Sequence, residues 1–521
     1  MRAARRRGSH RRQGPRGLPD RRNAEAQLRR SPRGRPCLGG AAVTARFTLD
    51  EAAFCAGAEI LAGTPSLGLE GVFTDSRKPQ KGALFVALVG EKHDASEFAA
   101  QAAKDGAAAV LVPRGAAQRV REEMQAAKSS AALLAATDTG RALGALAHAW
   151  RERFADLCVV AVTGSTGKTS TKELIASVLE TAGSTMKTEG NLNNEIGVPL
   201  TLLRLSSEHR YAVIECGMNH LGEIARLVAW ADPEVGVVTN VGPVHLEGCG
   251  SIDGVAHAKG EMFHGLRESA TAVANADDAR VLAQARLSRR RLMTFGAQRS
   301  SHVRLVSAHH GGAGLRVELA FPDGKVRLVE LHLIGTHNGG NAAAAAAVGY
   351  ALGLDPDLIV RGLGNARTPG RRMRPVPLEN GAVLIDDCYN ANPQSTKAAL
   401  LTLTHLVRGK GRAIAVLGDM LELGPTELDL HRDVGRFAAG AGLGLLVAFG
   451  QRARAIGEGA IESGMKTETV RFTSTPEEAI ELLRANIRPE DVILVKGSRG
   501  MRMERISDPL SPQASSPSES H

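Results

Sequence analysis

Short runs of Val, Ile, Leu and Ala recur along the chain, separated by stretches with helical spacing. Residues 83–88 and 107–112 read as strands on either side of a helix near 96–104. The runs 159–162, 211–214, 235–238 and 271–274 form a second group, and 383–385, 413–417, 445–449 and 492–495 a third. Most are continuous rather than alternating, as strands covered on both faces require, so they predict parallel sheets in α/β layers. Residues 315–333 alternate instead and predict an antiparallel insert. The grouping predicts three α/β domains, at 47–150, 151–366 and 367–506, with breaks near residue 151 and the Gly/Pro segment 362–370. Residues 1–46 show no apolar period and read as a disordered extension or as sequence upstream of the true start. The Ser/Pro-rich stretch 507–521 reads as a frayed tail.

A chain of 521 residues is long enough for about three domains. Its formal charge of +10 points at first to nucleic acid. Residues 1–46 hold fourteen Arg and two acids, however, so that segment is +12 and residues 47–521 sum to −2. Aromatic residues make up 3% of the chain, too few for base-stacking platforms. A nucleic-acid-binding P-loop protein is therefore the remote alternative, and no nucleic-acid partner is expected. The six Cys are scattered without a C-x-x-C pair, which disfavours a disulfide framework or zinc cluster and fits a reducing cytoplasm. No apolar run approaches the roughly 20 residues that cross a bilayer, so no membrane insertion is expected. The Arg-rich start lacks the apolar segment of a secretory signal.

The densest chemistry lies in Thr163-Gly164-Ser165-Thr166-Gly167-Lys168-Thr169-Ser170, which follows an apolar strand. Leu174, Ile175, Val178 and Leu179 behind it repeat at helical spacing, and Gly183 is the expected C-cap. Glycines let backbone N–H groups approach phosphate oxygens, and the helix N-terminus adds positive partial charge. Lys168 is placed to reach the β- and γ-phosphates of ATP, and the Thr169 hydroxyl to ligate Mg²⁺. Glu215 ends another apolar strand, at the edge where α/β sheets bind ligands, and its oxygens suit Mg²⁺; an ion-paired strand-end acid is the plainer reading.

The position five before Gly167 is Val162, so the loop is the short T-G-x-x-G-K-[ST] form. With N-L-N-N-E-I-G from Asn191, E-C-G-M-N from Glu215, T-N-V-G-P-V-H ending at His245, A-K-G-E around Lys259, G-T-H-N-G-G-N ending at Asn341, P-G-R ending at Arg371, D-D-C-Y-N-A-N-P from Asp386 and K-G-S-R from Lys496, it resembles the Mur ligase and folylpolyglutamate synthase family of ATP-dependent amide-bond ligases. Thr74-Asp-Ser76-Arg77 extends the resemblance to about residues 47–506. It implies the three-domain Mur ligase architecture, with a central P-loop-type parallel sheet and a Rossmann-like C-terminal domain. The domains would bind a UDP-sugar substrate, ATP and the incoming amino substrate in that order.

N-L-N-N-E-I-G, E-C-G-M-N, D-D-C-Y-N-A-N-P and K-G-S-R-G-M-R-M-E resemble the branch that joins D-alanyl-D-alanine to UDP-N-acetylmuramoyl-tripeptide through an acyl phosphate, and a D-N-P-[RA] motif of the sister branch is absent from the third domain. Another Mur-type ligase or a folylpolyglutamate synthase is the alternative.

By the same resemblance, His245 serves a second Mg²⁺, although a lone His is more often structural. Lys259, by default a surface lysine, would be carbamylated and anionic at that metal. Asn341, with Asn338, would meet the adenine, although Asn at a helix start is as well explained as a cap. Arg371 would bridge to the γ-phosphate on closure, with adjacent Arg372 as the other candidate. Asp387, preferred over Asp386, would meet the ribose. Ser76 and Arg77 would contact the UDP-sugar. Asn390 and Asn392 would cap the next helix or orient the dipeptide, and Lys496 and Arg499 would hold a substrate carboxylate or form a surface ion pair. The family suggests a monomer.

Overall fold

The three groups of apolar runs form the parallel parts of three sheets. The computed structural model describes residues 45–511 apart from 91–92, 312–313, 368–369 and 408–409, so the readings of 1–44 and 512–521, and Pro369 of the P-G-R motif, lie outside the described residues.

The first sheet has five strands in the order Glu59–Ala62, Ala132–Ala136, Ala109–Pro113, Leu84–Val86 and Val72–Phe73, parallel except at the first pair. The second has nine, with Cys158–Thr163 between Val235–Val238 and Tyr211–Glu215. The third has six, with Val492–Lys496 between Val383–Asp387 and Ala413–Gly418. Strands covered on both faces have no solvent side for a polar residue, and Val159 to Val162 are all 0% exposed. One continuous apolar core runs from the first sheet into the second through Leu146, Trp150 and Leu157.

The alternating segment is antiparallel as expected, and it extends further than its pattern shows. Val303–Gly311, Gly314–Ala320 and Val326–Leu331 form an antiparallel meander that continues the central sheet, and its first strand pairs in parallel with Arg291–Gly296. Several edge strands carry no apolar signal because they are short or half-exposed, such as Thr185–Lys187 and the Pro-containing Arg374–Pro377. The predicted Gly183 C-cap is also corrected. The helix Lys168–Glu180 closes at Thr181, and the Gly183 N–H donates to Leu179 O at 3.0 Å. Neither flanking segment has the expected boundary: Arg46 already opens a strand paired with Gly68–Glu70, and residues after 506 continue through the helix Glu504–Ser507 into a 3₁₀ turn at Asp508–Leu510. Ser507 is buried against Cys388 and Arg371, which holds that end to the third sheet.

Parallel register then places the chemistry. Val162 aligns with Glu215, and Thr163 with Val238, so the P-loop, Glu215 and Thr239 leave the central sheet at one carboxyl edge. In the third sheet Asp387 aligns with Lys496.

Candidate active site

The loop after Cys158–Thr163 is built around two glycines. Gly164 has φ 150°, and a Cβ there would stand 1.8 Å from Thr239 Oγ1; Gly167 has φ 80°, with Asn341 Oδ1 2.5 Å from its would-be Cβ. Side chains are excluded at both positions by backbone and space together. Asn240 braces the loop, its carbonyl accepting from Ser165 N and its Oδ1 from Thr166 N, each at 2.9 Å. The helix Lys168–Glu180 starts with no side-chain cap, which leaves N–H donors of its first turn for an anion. Lys168 Nζ donates to Gly164 O at 2.6 Å. Burial holds its pKa below the usual lysine value; Glu215 opposes that shift and Arg372 adds to it.

Glu215 is 2% exposed, yet both its oxygens are used: Thr169 Oγ1 donates to one at 2.8 Å and Asn193 Nδ2 to the other at 2.9 Å. A hydroxyl beside a buried carboxylate at a P-loop fits a hard cation such as Mg²⁺. Among the described residues no group of three His, Cys, Asp or Glu gathers that could hold a metal ion by itself.

His245 sits at φ 52°, with Nδ1 3.2 Å from Glu422 Oε2. Burial lowers its pKa, the Glu422 hydrogen bond raises it, and Lys168 and Lys259 lower it further. Lys259 is no surface lysine: it is 1% exposed on the helix Ile252–His264 and makes no hydrogen bond or ion pair among the described residues. Burial, and then Lys168, hold its amine well below the ordinary lysine pKa. As an ammonium it fits no metal site; as an anionic carbamate it would.

The third sheet faces this edge across a cleft of about 580 Å³, within the usual range for small-molecule sites. Of the expected residues, Ser165 to Ser170, Glu215, His245, Asn338, Asn341, Asp387, Asn390, Asn392, Lys496 and Arg499 line it. Lys496 Nζ, 3% exposed, donates to Asp387 Oδ2 at 2.7 Å and to Asn390 O at 2.8 Å, so it is a buried pair rather than a surface one. Arg499 is the exposed member, 3.4 Å from Glu504. Asn392 caps the helix Pro393–Leu406 in a capping box with Ser395.

Asn338 and Asn341 are not caps. The helix Asn338–Ala351 has His337 at its N-cap position and starts at Asn338, Asn338 Nδ2 donates to Ile334 O, and Asn341 Nδ2 donates to Asn338 Oδ1. Asn341 Oδ1 accepts from Thr171 of the P-loop helix at 3.2 Å, which ties the two helix starts together.

The structure does not bring every expected residue to this cleft. Arg371 does not line the cleft; its guanidinium donates to Asp386 Oδ2 at 3.1 Å and to both oxygens of Asp508 at 2.7 and 3.0 Å. The register that turns Asp387 toward Lys496 turns Asp386 to the opposite face, and Arg371 follows it. Arg372 lines the cleft instead, with Nη2 2.9 Å from Thr169 Oγ1 and its guanidinium 3.9 Å from the centre of the Tyr389 ring. Ser76 and Arg77 are likewise not brought to this cleft; Arg77 is exposed and ion-paired with Asp75 at 2.8 Å.

Residues that the sequence reading did not select also line the cleft, among them Asn193, Asn240, Arg372, Tyr389 and Glu422. Asn193 stands within a quoted motif, and Arg372 beside a chosen residue. Glu422 carries no local signal.

Three family descriptions match in chain order: "Mur ligase family, catalytic domain" over 69–151, "Mur ligase middle domain" over 162–349 and "Mur ligase, glutamate ligase domain" over 371–499. The UDP-N-acetylmuramoyl-tripeptide–D-alanyl-D-alanine ligase of Escherichia coli K12 is 41% identical, covering 84% of this chain and 93% of that protein. The enzyme of the same name from Bacillus subtilis is 34% identical, covering 84% and 92%. A crystal structure of MurF from Acinetobacter baumannii superposes with a TM-score of 0.80 at 32% identity, covering 90% of this chain and 99% of that one. MurF from Thermotoga maritima in complex with ADP gives 0.73 at 28% identity, covering 84% and 96%. A folylpolyglutamate synthase of Mycobacterium tuberculosis, at 17% identity and 0.55, shares the fold alone. With this extent of agreement, from the first sheet to the third, the chain belongs to the Mur ligase family.

Proposed function

We propose that this protein is the ATP-dependent ligase that joins D-alanyl-D-alanine to UDP-N-acetylmuramoyl-tripeptide, the step that completes the pentapeptide precursor of peptidoglycan, and that it works in the cytoplasm as a monomer. The carrying observation is the shared cleft: the P-loop and the Asp387–Lys496 pair face one cavity, so nucleotide and amino substrate meet there. Eight relatives at 30–41% identity over most of the chain bear this activity in their names.

A carboxylate is a poor electrophile and must first be activated. An oxygen of the tripeptide carboxylate attacks the γ-phosphorus, the bond to the bridging oxygen breaks, and ADP leaves an acyl phosphate. The neutral amine of D-alanyl-D-alanine attacks the acyl carbon, the tetrahedral intermediate collapses, and inorganic phosphate departs with formation of the amide. The first step brings two anions together, so the protein has to supply positive charge. Lys168 does so from the P-loop, and Arg372 from the turn before the third sheet's strand Arg374–Pro377. Mg²⁺, when bound, neutralises phosphate charge and orients the transferred group. Thr169 and Glu215 would hold it.

A second Mg²⁺ at His245 and Lys259 is part of the proposal. The lowered pKa supports a neutral Lys259 amine, the form that adds to CO₂ and loses a proton to give a carbamate. Asn341 is assigned to the adenine, Asp387 to the ribose, Asn390, Asn392, Lys496 and Arg499 to the dipeptide or peptide carboxylate, and Ser76 and Arg77 to the UDP-sugar. The division at 47–150, 151–366 and 367–506 follows those three ligands. Among the described residues no helix is long and apolar enough to cross a membrane.

The test is phosphate release with UDP-N-acetylmuramoyl-tripeptide, ATP and D-alanyl-D-alanine, omitting each in turn. Release is expected to require all three. Turnover with a single amino acid but not with the dipeptide would overturn the assignment.

A further inference from the structure

Glu422 belongs to the loop that follows the strand Ala413–Gly418 of the third sheet, yet its carboxylate meets His245 of the central domain at 3.2 Å. The contact is built rather than incidental. Glu422 is itself in the left-handed region at φ 64°. Gly424, at φ 68°, takes the left-handed turn that sets the loop beside the short helix Leu246–Cys249, with Glu247 N in van der Waals range of its would-be Cβ at 3.6 Å. Ser498 Oγ accepts from Leu421 N at 2.9 Å and ties the loop to the segment that carries Lys496 and Arg499. Glu422 also lines both the main cleft and the smaller cavity beside it.

An imidazole that binds a metal through one nitrogen is oriented by what its other nitrogen does. Here Nδ1 faces a carboxylate at 3.2 Å, and in the neutral ring that acceptor favours the proton on Nδ1 and so the lone pair on Nε2. We infer that Glu422 is a positioning residue through which the third domain fixes the tautomer and orientation of His245, so that the second metal site is complete only when that domain is seated on the central one. The inference rests on the reading of His245 as a Mg²⁺ ligand. It adds that domain closure does more than deliver the amino substrate: it switches on the affinity of a metal site on the other side of the cleft. A metal that binds tightly only after closure would disfavour phosphoryl transfer to water in the open enzyme.

The test uses the full chain with a non-hydrolysable ATP analogue and Mn²⁺ as the probe, bound ion being read from the loss of the free-ion electron paramagnetic resonance signal. Glu422→Ala is expected to weaken the second Mn²⁺ by about tenfold or more, as loss of an outer-shell partner does, with the first unchanged. Glu422→Gln keeps an acceptor for Nδ1–H and is expected to restore most of that affinity. In ¹⁵N-histidine spectra, His245 should be the Nδ1–H tautomer in the wild type and Glu422→Gln, and a mixture in Glu422→Ala. Second-ion affinity and tautomer both unchanged in Glu422→Ala would overturn the inference. His245→Ala separates the two claims: if it too leaves the second ion unaffected, the ligand reading of His245 fails; if it abolishes that ion while Glu422→Ala does not, only the role of Glu422 fails.

Discussion

Arg371 and Arg372 are adjacent and chemically identical, and the fold gives them opposite tasks. Arg372→Ala removes the guanidinium held between Thr169 and the Tyr389 ring. A positioned donor to transition-state charge contributes about 3–4 kcal/mol, so kcat should fall roughly 10²–10³-fold. The stacking lost with it is worth only about 0.5–1 kcal/mol at a partly exposed site, so the melting temperature should hardly move. Arg371→Ala does the reverse. It leaves Asp386, 1% exposed, with Arg374 at 3.4 Å as its remaining cation. Stranding a fully buried charge costs about 3–5 kcal/mol; with Arg374 still present and Arg371 partly solvated, about 2–3 kcal/mol is expected. At roughly 2–4 °C per kcal/mol that is a drop of about 4–12 °C, with kcat within a few-fold of wild type at a permissive temperature. Steady-state phosphate release and thermal melts on both variants check the split. An Arg371→Ala protein that melts normally but does not turn over, beside an active Arg372→Ala, would refute the reasoning.

Lys259→Ala should lose activity by at least about 10²-fold, with partial rescue by a short carboxylic acid that replaces the carbamate oxygens; full activity without rescue would remove the carbamate from the account. Gly167→Ala places a methyl group against Asn341 Oδ1 at a left-handed position, and should weaken ADP binding by tenfold or more in calorimetry, at about 1–2 kcal/mol for the backbone alone. Burial raises the pKa of Glu173, but its pairs with Lys172 at 2.8 Å and Lys187 at 2.5 Å outweigh this, and the net shift is downward. A lowered carboxylate pKa stabilises the fold above the unfolded-state value of about 4.3 and loses that effect as pH falls through the folded value, so Glu173→Gln should cost about 1–3 kcal/mol in urea unfolding at pH 7 and progressively less below pH about 4. Deleting residues 1–44 should leave kcat within about two-fold in the same phosphate assay, since the residues that line the cleft lie between Ser165 and Arg499.

What could be read from the chain divides along a physical line. Strands such as Val235–Val238 are legible because burial on both faces forces continuous apolar runs, whereas Thr185–Lys187 and Arg374–Pro377 at sheet edges need no such composition. The P-loop is legible because its chemistry is local: strand, glycines, lysine and helix follow one another within a dozen residues. The choice between Arg371 and Arg372 is not local. It depends on the face to which the strand Val383–Asp387 turns Asp386, and the side chain opposite follows. The burial of Lys259 depends on what packs around its helix, and the position of Glu422 on a contact between residues 177 apart in the chain, with no period or motif to report it. At the helix start the local signal points the other way: Asn near an Ala-rich helix has a strong preference for capping, yet here both side chains are drawn inward to Ile334 O and Thr171.

The central claim is that one cleft activates the tripeptide carboxylate with ATP and then joins it to D-alanyl-D-alanine. Mass spectrometry of a single reaction containing ¹⁸O-carboxylate UDP-N-acetylmuramoyl-tripeptide, ATP and D-alanyl-D-alanine tests it most directly. The account predicts the UDP-linked pentapeptide and one ¹⁸O in each molecule of released phosphate, carried there through the acyl phosphate. Unlabelled phosphate, or a product that forms with single amino acids and not with the dipeptide, would contradict it.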